Sequence, residues 1–337
     1  MKLSVVDLSP VPRGGTATDA YANTVEAAQQ AEQLGFERFW VAEHHGRADR
    51  LAGTTPEVLL GHLAAHTDTI RLGSGAVLLN HYSPFKVAEQ FGAIDALAPG
   101  RVDIGLGRAN GSPAADRALG TERHVENPDS DHREKIEAVL NHLYDDYPAG
   151  HAYADLQVPR SGARPPEPWV LGSSTASATI AGELGLPFCF ASFIRPQWAP
   201  DALDAYRENF EPSSLAAGVD SPRSMVAVNA VAADTNEDAA RLRAVSMAAR
   251  KRLRRGDLTT TPTVPDAIDE LGGLPDPTPE TLPEGEWPRA LAGTPDRLES
   301  VFSQLEERLG VEEIMIQHTV PDHETGMRSH ELLADLL

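Results

Sequence analysis

Cysteine is almost absent from this sequence, in which Cys189 is the only one among 337 residues. A single cysteine excludes an internal disulfide and also a zinc site built from several thiolates. The residues on either side of it, Phe188 and Phe190, are apolar. We therefore predict that Cys189 is a small buried residue with no chemical role.

Long apolar runs are also missing, although hydrophobic residues make up 41% of the chain. None approaches the roughly 20 consecutive apolar residues that a membrane-spanning helix needs. The first residues, Met1 to Asp7, lack the apolar stretch and small-residue cleavage site of a signal peptide. We therefore expect a soluble, cytoplasmic protein.

Basic residues are few, because 29 lysines and arginines face 50 acidic residues and leave a net charge of −21. This charge repels nucleic-acid phosphates and anionic membranes, so neither is a predicted partner. The excess of acid resembles proteins of halophilic organisms, where salt screens the repulsion. The one basic run, Arg250 to Arg255, ends a predicted helix and is interpreted as a solvated face.

The pattern of the chain is an alternation of short apolar runs with helical segments, which is typical of parallel strands joined by helices. Eight apolar runs are predicted strands: Leu3 to Leu8, Phe39 to Ala42, Ile70 to Leu78, Val102 to Leu106, Trp169 to Gly172, Phe188 to Ser192, Met225 to Ala232 and Glu313 to Gln317. Eight segments are predicted helices: Ala20 to Leu34, Pro56 to His66, Pro84 to Leu97, Asp131 to Tyr144, Thr175 to Leu184, Pro200 to Phe210, Asn236 to Arg254 and Thr294 to Leu309. Residues 1 to 337 are therefore predicted to form one domain, a (β/α)8 TIM barrel.

Two segments interrupt this alternation. Gly256 to Arg289 is rich in proline, threonine and acidic residues, and we predict a long loop or lid there. Pro148 to Pro166 precedes the fifth predicted strand and is interpreted as a surface excursion.

Active-site groups of such barrels lie at the carboxyl ends of the strands. Glu43, His44 and His45 follow the second predicted strand and bring a carboxylate and two imidazoles to this rim. A metal site is a weak interpretation, because neighbouring strand residues point to opposite faces and one imidazole should point away. The alternative is that one histidine only hydrogen-bonds a neighbouring loop.

Glycines and hydroxyl residues mark three further strand ends. Gly73 and Gly75 interrupt the third strand, which indicates a bulge or the close approach of a ligand. The fourth strand runs into Gly107 and Arg108, a pattern that suits a phosphate but also occurs for packing alone. The fifth is followed by Gly172 to Ser177, where three serines and a threonine begin a helix. This is more than an N-cap requires, and it favours phosphate binding.

In combination, these segments resemble the bacterial-luciferase-like family of flavin-dependent monooxygenases over nearly the whole chain. The ordered set that carries the resemblance is Ala42 to His45, Arg71 to Leu78, Gly105 to Ala109, Leu171 to Ser174, Ala181 to Pro187 and Pro321 to Glu324. Luciferase has a reactive cysteine where this chain has Gly105, so light emission is not predicted.

The resemblance implies roles for individual residues. His44 would be the catalytic imidazole beside the flavin, and Glu43 with the backbone of Ser74, Gly75 and Ala76 would line the isoalloxazine ring. Four residues that begin the helix after the fifth strand, together with one arginine, would hold the flavin phosphate: Gly172, Ser173, Ser174, Ser177 and Arg108.

The resemblance also implies cofactors and partners. Reduced FMN from a separate flavin reductase would react with oxygen and oxidise a small organic substrate, such as an aldehyde. A homodimer formed through the early helices is expected.

Three alternatives remain open. Relatives on this barrel use the deazaflavin F420 and transfer hydride without oxygen, and others bind flavin without catalysis. A metal-dependent hydrolase would need further ligands, for which Asp103 and His318 are poor candidates, since Asp103 lies inside its strand and His318 stands alone after the last strand.

Overall fold

The computed structural model is one closed barrel. It describes residues 1–108, 113–120, 128–162, 164–213, 215, 217–257 and 261–337. Its strands are β1 Leu3–Asp7, β2 Arg38–Val41, β3 Arg71–Ser74, β4 Val77–Leu78, β5 Val102–Gly107, β6 Glu167–Gly172, β7 Phe188–Ala191, β8 Ser224–Ala232, β9 Ala290–Gly293 and β10 Glu313–Gln317. Its helices are α1 Ala17–Leu34, α2 Pro56–Ala64, α3 Pro84–Leu97, α4 Pro113–Ala118, α5 Pro128–Tyr144, α6 Thr175–Glu183, α7 Ala199–Glu208, α8 Asn236–Arg254, α9 Val264–Leu271, α10 Pro295–Leu309 and α11 His323–Ala334.

The strand pairings close the barrel, as the sequence predicts. Parallel pairs run from β1 through β2, β3, β5, β6, β7 and β8 to β10, and β10 returns to β1. β4 extends the line of β3 against β5, while β9 pairs only with the last residues of β8. Since all these strands are parallel, their carboxyl ends form a single rim, which is where the predicted site residues should meet.

Two layers of side chains build the core. The barrel interior holds a compact cluster: Val6, Trp40, Ala42, Trp169, Cys189, Met225, Ala227 and Met315. Cys189 is 1% exposed, and burial raises the pKa of its thiol, so the side chain is the inert buried group that the sequence predicts. The larger layer packs the outer faces of the strands against the helices.

Ionic side chains close the amino-terminal end of the barrel. Arg38 contacts Asp103 at 3.3 Å and also pairs with Glu313. Arg71 pairs with Asp103 at 2.6 Å and with Glu167 at 3.3 Å. A network of ion pairs therefore fills this end of the barrel. Asp103 pairs with two arginines in it and lies far from the rim where chemistry is expected.

The third predicted strand, Ile70 to Leu78, is broken in the structure. β3 ends at Ser74 and β4 begins at Val77, and the intervening Gly75–Ala76 peptide is cis. Gly73 has a packing role, because a Cβ there would lie 2.3 Å from the Trp40 ring. The interruption that the two glycines predict is therefore present.

The segment from Gly256 to Arg289 contains more structure than a loop, and the prediction was incomplete. α9 lies within it, with Thr263 accepting a hydrogen bond from the Asp266 amide at its start and Gly272 left-handed at its end. β9 follows directly. α4 and α11 are two other helices that the sequence reading missed. Within the described ranges, no helix is long and apolar enough to cross a membrane.

Candidate active site

A cavity of about 1000 Å³ opens at the carboxyl rim of the barrel. Seven of the residues predicted to form the site contribute to its wall: Glu43, His44, Gly75, Ala76, Arg108, Gly172 and Ser173. The other three, Ser74, Ser174 and Ser177, lie directly beside members of this set. The structure thus brings the imidazole, the interrupted third strand and the serine cluster to one cavity of a size typical for a small-molecule site.

His44 lies in the loop after β2, which ends at Val41. Its amide donates to the carbonyl of Gly53 at 2.8 Å, while the buried Nδ1 of its ring has no hydrogen-bond partner among the described residues. Burial, with a smaller effect from Arg47, lowers the pKa of His44 to about 4. The ring is therefore neutral at neutral pH, and a neutral imidazole has one nitrogen that can accept a proton.

His45 also lines the cavity, contrary to the expectation that one of the two imidazoles would point away. The strand alternation ends at Val41, so it no longer separates the two rings. His45 is engaged, because its Nε2 lies 2.5 Å from Oε1 of Glu43.

Glu43 is 3% exposed, and burial raises the pKa of its carboxyl. Its Oε1 accepts from the Tyr82 hydroxyl at 2.6 Å, and its Oε2 accepts from the Leu78 amide at 2.8 Å. Both oxygens are therefore used within the protein, and the carboxylate connects the loop after β2 to the end of β4 and to the segment that follows it.

The backbone at the break in the third strand faces the cavity through Gly75 and Ala76. Ser74 lies beneath them, fully buried, and its Oγ donates to the Gly105 carbonyl at 3.0 Å and accepts from the Gly105 amide at 2.9 Å. A Cβ at Gly105 would lie 2.0 Å from the Ser74 carbonyl oxygen, so no side chain fits there. Ser74 supports the cavity wall from behind and is not part of it.

The serine cluster begins α6. Ser174 is the N-cap, and its Oγ accepts from the Ser177 amide at 3.3 Å. Ser177 Oγ donates to the Ser174 carbonyl at 2.8 Å. Gly172 leaves no room for a Cβ, which would lie 2.0 Å from Ser177 Oγ. The capping role is thus present, and Ser173 is the member of the cluster that lines the cavity, at the helix start where an anion could bind.

Arg108 lines the cavity next to this cluster and pairs with Asp129 at 2.5 Å. Ala109 to Gly111, which complete the glycine-rich pattern, lie outside the described residues.

Several cavity residues were missed by sequence reasoning. Asp7 at the end of β1 and His330 on α11 both line the cavity, as does His318, which the sequence analysis considered only as a poor metal ligand. Burial lowers the pKa of His318 to about 4. The strand-end position of Asp7 is the signal that could have identified it.

The basic run from Arg250 to Arg255 was interpreted as a solvated face. This holds for Arg254 and Arg255, which are exposed, but it is wrong for Arg250, which is half-buried in the cavity wall. The run lies at the end of a helix, and two of its residues, Arg250 and Leu253, line the cavity. Within the described ranges, no group of three histidine, cysteine or acidic residues is arranged to hold a metal ion.

The fold and site have clear relatives. A family model described as "Luciferase-like monooxygenase" matches residues 1–310. A luciferase-like monooxygenase of Escherichia coli (strain K12) is 36% identical over 334 residues, covering 99% of this chain and 96% of that protein. An N-acetyl-S-alkylcysteine monooxygenase of Bacillus subtilis (strain 168) is 48% identical over 195 residues, which are 58% of each chain.

Solved structures have the same architecture. The crystal structure of apo-MsnO8 has a TM-score of 0.86 and 37% identity, covering 99% of this chain and 98% of that one. The FMN complex of the oxygenating constituent of 3,6-diketocamphane monooxygenase has a TM-score of 0.68 at 22% identity. An F420-dependent secondary alcohol dehydrogenase has a TM-score of 0.65 at 15% identity. These last two show the fold alone.

Proposed function

Because this chain belongs to the luciferase-like monooxygenase family, we propose that it is an FMN-dependent monooxygenase that uses reduced FMN and molecular oxygen to oxidise a small organic substrate. The observation that carries the proposal is the neutral imidazole of His44 in the wall of the cavity that Gly75, Ala76 and Ser173 also line.

The cavity suits a flavin. Its volume of about 1000 Å³ accommodates a tricyclic ring with a ribityl phosphate tail. Gly75 and Ala76 present backbone without a bulky side chain, where the flat ring would lie. The start of α6 offers amides and hydroxyls to a phosphate, and Arg108 adds a cation at the same edge.

When bound, the reduced flavin supplies the electrons that activate oxygen. The protein binds and orients the reactants, excludes water and moves a proton. His44 is suited to the last task, because its ring lies in the cavity wall, is neutral at neutral pH, and can take up a proton and return it. The apolar interior below the cavity, which includes Trp40 and Met315, keeps the floor dry.

The segment from Gly256 to Arg289 is proposed to act as a lid. The carbonyl of Thr261 accepts a 3.0 Å hydrogen bond from Arg13, which connects the segment to the loop after β1. Thr261, Pro288 and Arg289 line the cavity, so the segment covers part of its opening.

The electron source would be a separate flavin reductase, and the working unit a cytoplasmic homodimer formed through the early helices. Aldehydes are the first substrates to test. The N-acetyl-S-alkylcysteine monooxygenase among the relatives adds thioethers to the panel.

The decisive experiment is to purify the protein, record the absorbance of its bound cofactor, and measure oxygen consumption with reduced FMN and aldehydes or thioethers. We expect a flavin spectrum and oxygen uptake coupled to product, which is lost in His44→Ala. A deazaflavin spectrum with hydride transfer would support the F420 alternative instead. Flavin binding with a turnover rate that His44→Ala leaves unchanged would indicate a non-catalytic flavoprotein, and binding of neither cofactor would overturn both readings.

A further inference from the structure

The cavity wall has a charge opposite to that of the protein. Among the described residues, the wall has seven arginines and no lysine: Arg13, Arg47, Arg50, Arg108, Arg243, Arg250 and Arg289. Only three acidic residues line it, Asp7, Glu43 and Asp322. The whole chain, by contrast, has 50 acidic and 29 basic residues. This local excess of cations in an acidic protein points to an anionic ligand.

Three of these arginines lie together on one side, and we call them the α8 arginine set: Arg243, Arg250 and Arg289. Arg243 and Arg250 are seven residues apart on α8 and therefore share one helix face. Ser246 lies between them on the same face and also lines the cavity. Arg289 immediately precedes β9, which packs beside α8.

The α8 arginine set lacks carboxylate partners. Among the described residues, no acidic group lies within ion-pair distance of any of the three. Their side chains donate hydrogen bonds to backbone carbonyls instead. Arg250 and Arg289 both donate to the carbonyl of Phe193, at 3.4 and 3.0 Å. The Nε atoms of Arg243 and Arg250 are buried without a hydrogen-bond partner.

This arrangement is unfavourable for the protein alone. Burial and the neighbouring charges of Arg289 and Arg254 lower the pKa of Arg250. Burial also lowers the pKa of Arg243 and of Arg289. Arginine nevertheless stays protonated in proteins, so Arg250 and Arg289 are cations that repel each other, while Arg243, whose charge Asp276 partly offsets, is a buried cation on the same helix face as Arg250. A bound anion would satisfy the donors and offset the repulsion.

The phosphate side of the cavity has its own groups. Arg108 is paired with Asp129, and the serines of α6 follow β6. The α8 arginine set follows β8 and precedes β9, and β7 stands between β6 and β8 in the barrel. The set is therefore available for a second anion, separate from the proposed phosphate.

Apolar side chains adjoin the α8 arginine set. Phe193, Met247 and Leu253 line the same part of the cavity. A ligand that suits this wall has an apolar body and one anionic end.

We infer that the substrate is an amphipathic carboxylate, whose carboxylate group binds to the α8 arginine set while its apolar part extends toward His44. This inference rests on the proposed function for the identity of the site, and it names the class of substrate.

The test is a binding measurement that needs no turnover. Butanoate, octanoate and phenylacetate, each against its uncharged amide, are titrated by calorimetry into the FMN-loaded wild-type protein and into Arg243→Gln, Arg250→Gln and Arg289→Gln. Arg241→Gln is the matched control, since Arg241 lies on α8, is exposed and pairs with Glu237 away from the cavity.

We expect at least one carboxylate to bind about tenfold or more tightly than its amide, as charge-assisted hydrogen bonds to arginine allow. Each of the three variants should reduce this preference and leave amide binding unchanged, and the control should retain it. Melting curves of the variants show whether each is folded.

Two results would overturn the inference. One is the absence of any carboxylate preference in the folded wild-type protein. The other is that Arg250→Gln and Arg289→Gln bind FMN more weakly than the wild type but bind riboflavin equally well. The α8 arginine set would then bind the phosphate of the cofactor. Should the protein bind no flavin at all, the proposed function fails, while the carboxylate titration of the unloaded protein still decides whether this anion site exists.

Discussion

The hydroxyl of Tyr82 donates a 2.6 Å hydrogen bond to Oε1 of Glu43, the residue that immediately precedes His44. Oε2 of the same carboxylate accepts from the amide of Leu78, two residues after Ala76. The buried carboxylate thus fixes the loop that carries the imidazole relative to the backbone where the ring is proposed to lie. Glu43 acts through its neighbours, as a positioning residue.

Replacement of Tyr82 by phenylalanine tests this relationship. The carboxylate of Glu43 would lose one of its three partners, and we expect a loss of about 1–3 kcal/mol in the free energy of unfolding. The rate constant kcat should also fall, because the His44 loop is less well held, while KM changes little.

Tyr144→Phe is the matched control, since the Tyr144 hydroxyl donates to the Pro166 carbonyl at 2.9 Å and does not line the cavity. It should cost some stability and leave kcat unchanged. An equal decrease of kcat in both variants would show that the effect is general destabilisation.

His44→Ala should lower kcat/KM by about 100-fold to 10,000-fold, the range for removal of a general acid or base. Flavin affinity should remain, because the proposed phosphate contacts are elsewhere. In the wild-type free enzyme, burial lowers the pKa of His44 to about 4, so kcat/KM should fall only as pH drops toward 4. An acidic limb near 6.5, or a similar loss in the exposed His66→Ala control, would contradict this role.

The serine cluster can be separated from a simple helix cap by comparison with a second cap. Ser174→Ala and Thr235→Ala each remove an N-cap side chain, at α6 and α8 respectively. Each should cost about 0.5–2 kcal/mol in stability. Only Ser174→Ala should weaken FMN binding, and riboflavin, which has no phosphate, should bind as before. If the two variants bind FMN equally well, Ser174 caps the helix and does not contact the phosphate.

The barrel was readable from the sequence because its signals are local and repeated. Buried parallel strands are continuous apolar runs, and eight of them separated by helical segments leave few alternatives. Strand ends also indicate which residues meet at the rim, and so His44, Gly75 and Ser173 could be predicted to share one site.

Other features depend on contacts between distant segments. Two of the three hydrogen bonds to Glu43 come from Tyr82 and Leu78, which no spacing rule connects to it. Arg250 was interpreted as solvated because it belongs to a basic run at a helix end, and only the packing of α8 shows that it faces the cavity. β9 is only four residues long and lies next to a proline-rich segment, so it is too short to stand out as a strand.

His132 provides a test of acid stability that does not involve catalysis. The side chain is 3% exposed on α5, its Nδ1 has no hydrogen-bond partner among the described residues, and burial, together with Arg108, lowers the pKa of the imidazole to about 4. In the unfolded chain a histidine takes up a proton near pH 6.5, whereas the folded protein keeps His132 neutral down to about 4.

Protonation therefore favours the unfolded state over this window. The contribution of His132 to the free energy of unfolding is complete above about pH 6.5 and is lost as the pH falls toward 4, by at most about 1.4 kcal/mol per pH unit. His132→Gln, which does not titrate, should make the decrease in stability over this window less steep in urea unfolding experiments. His62→Gln, at an exposed histidine of α2, is the control for the substitution itself and is measured in parallel. An unchanged slope in His132→Gln would contradict this prediction. It would mean that the imidazole accepts a proton as readily in the folded protein as in the unfolded chain, in spite of its burial.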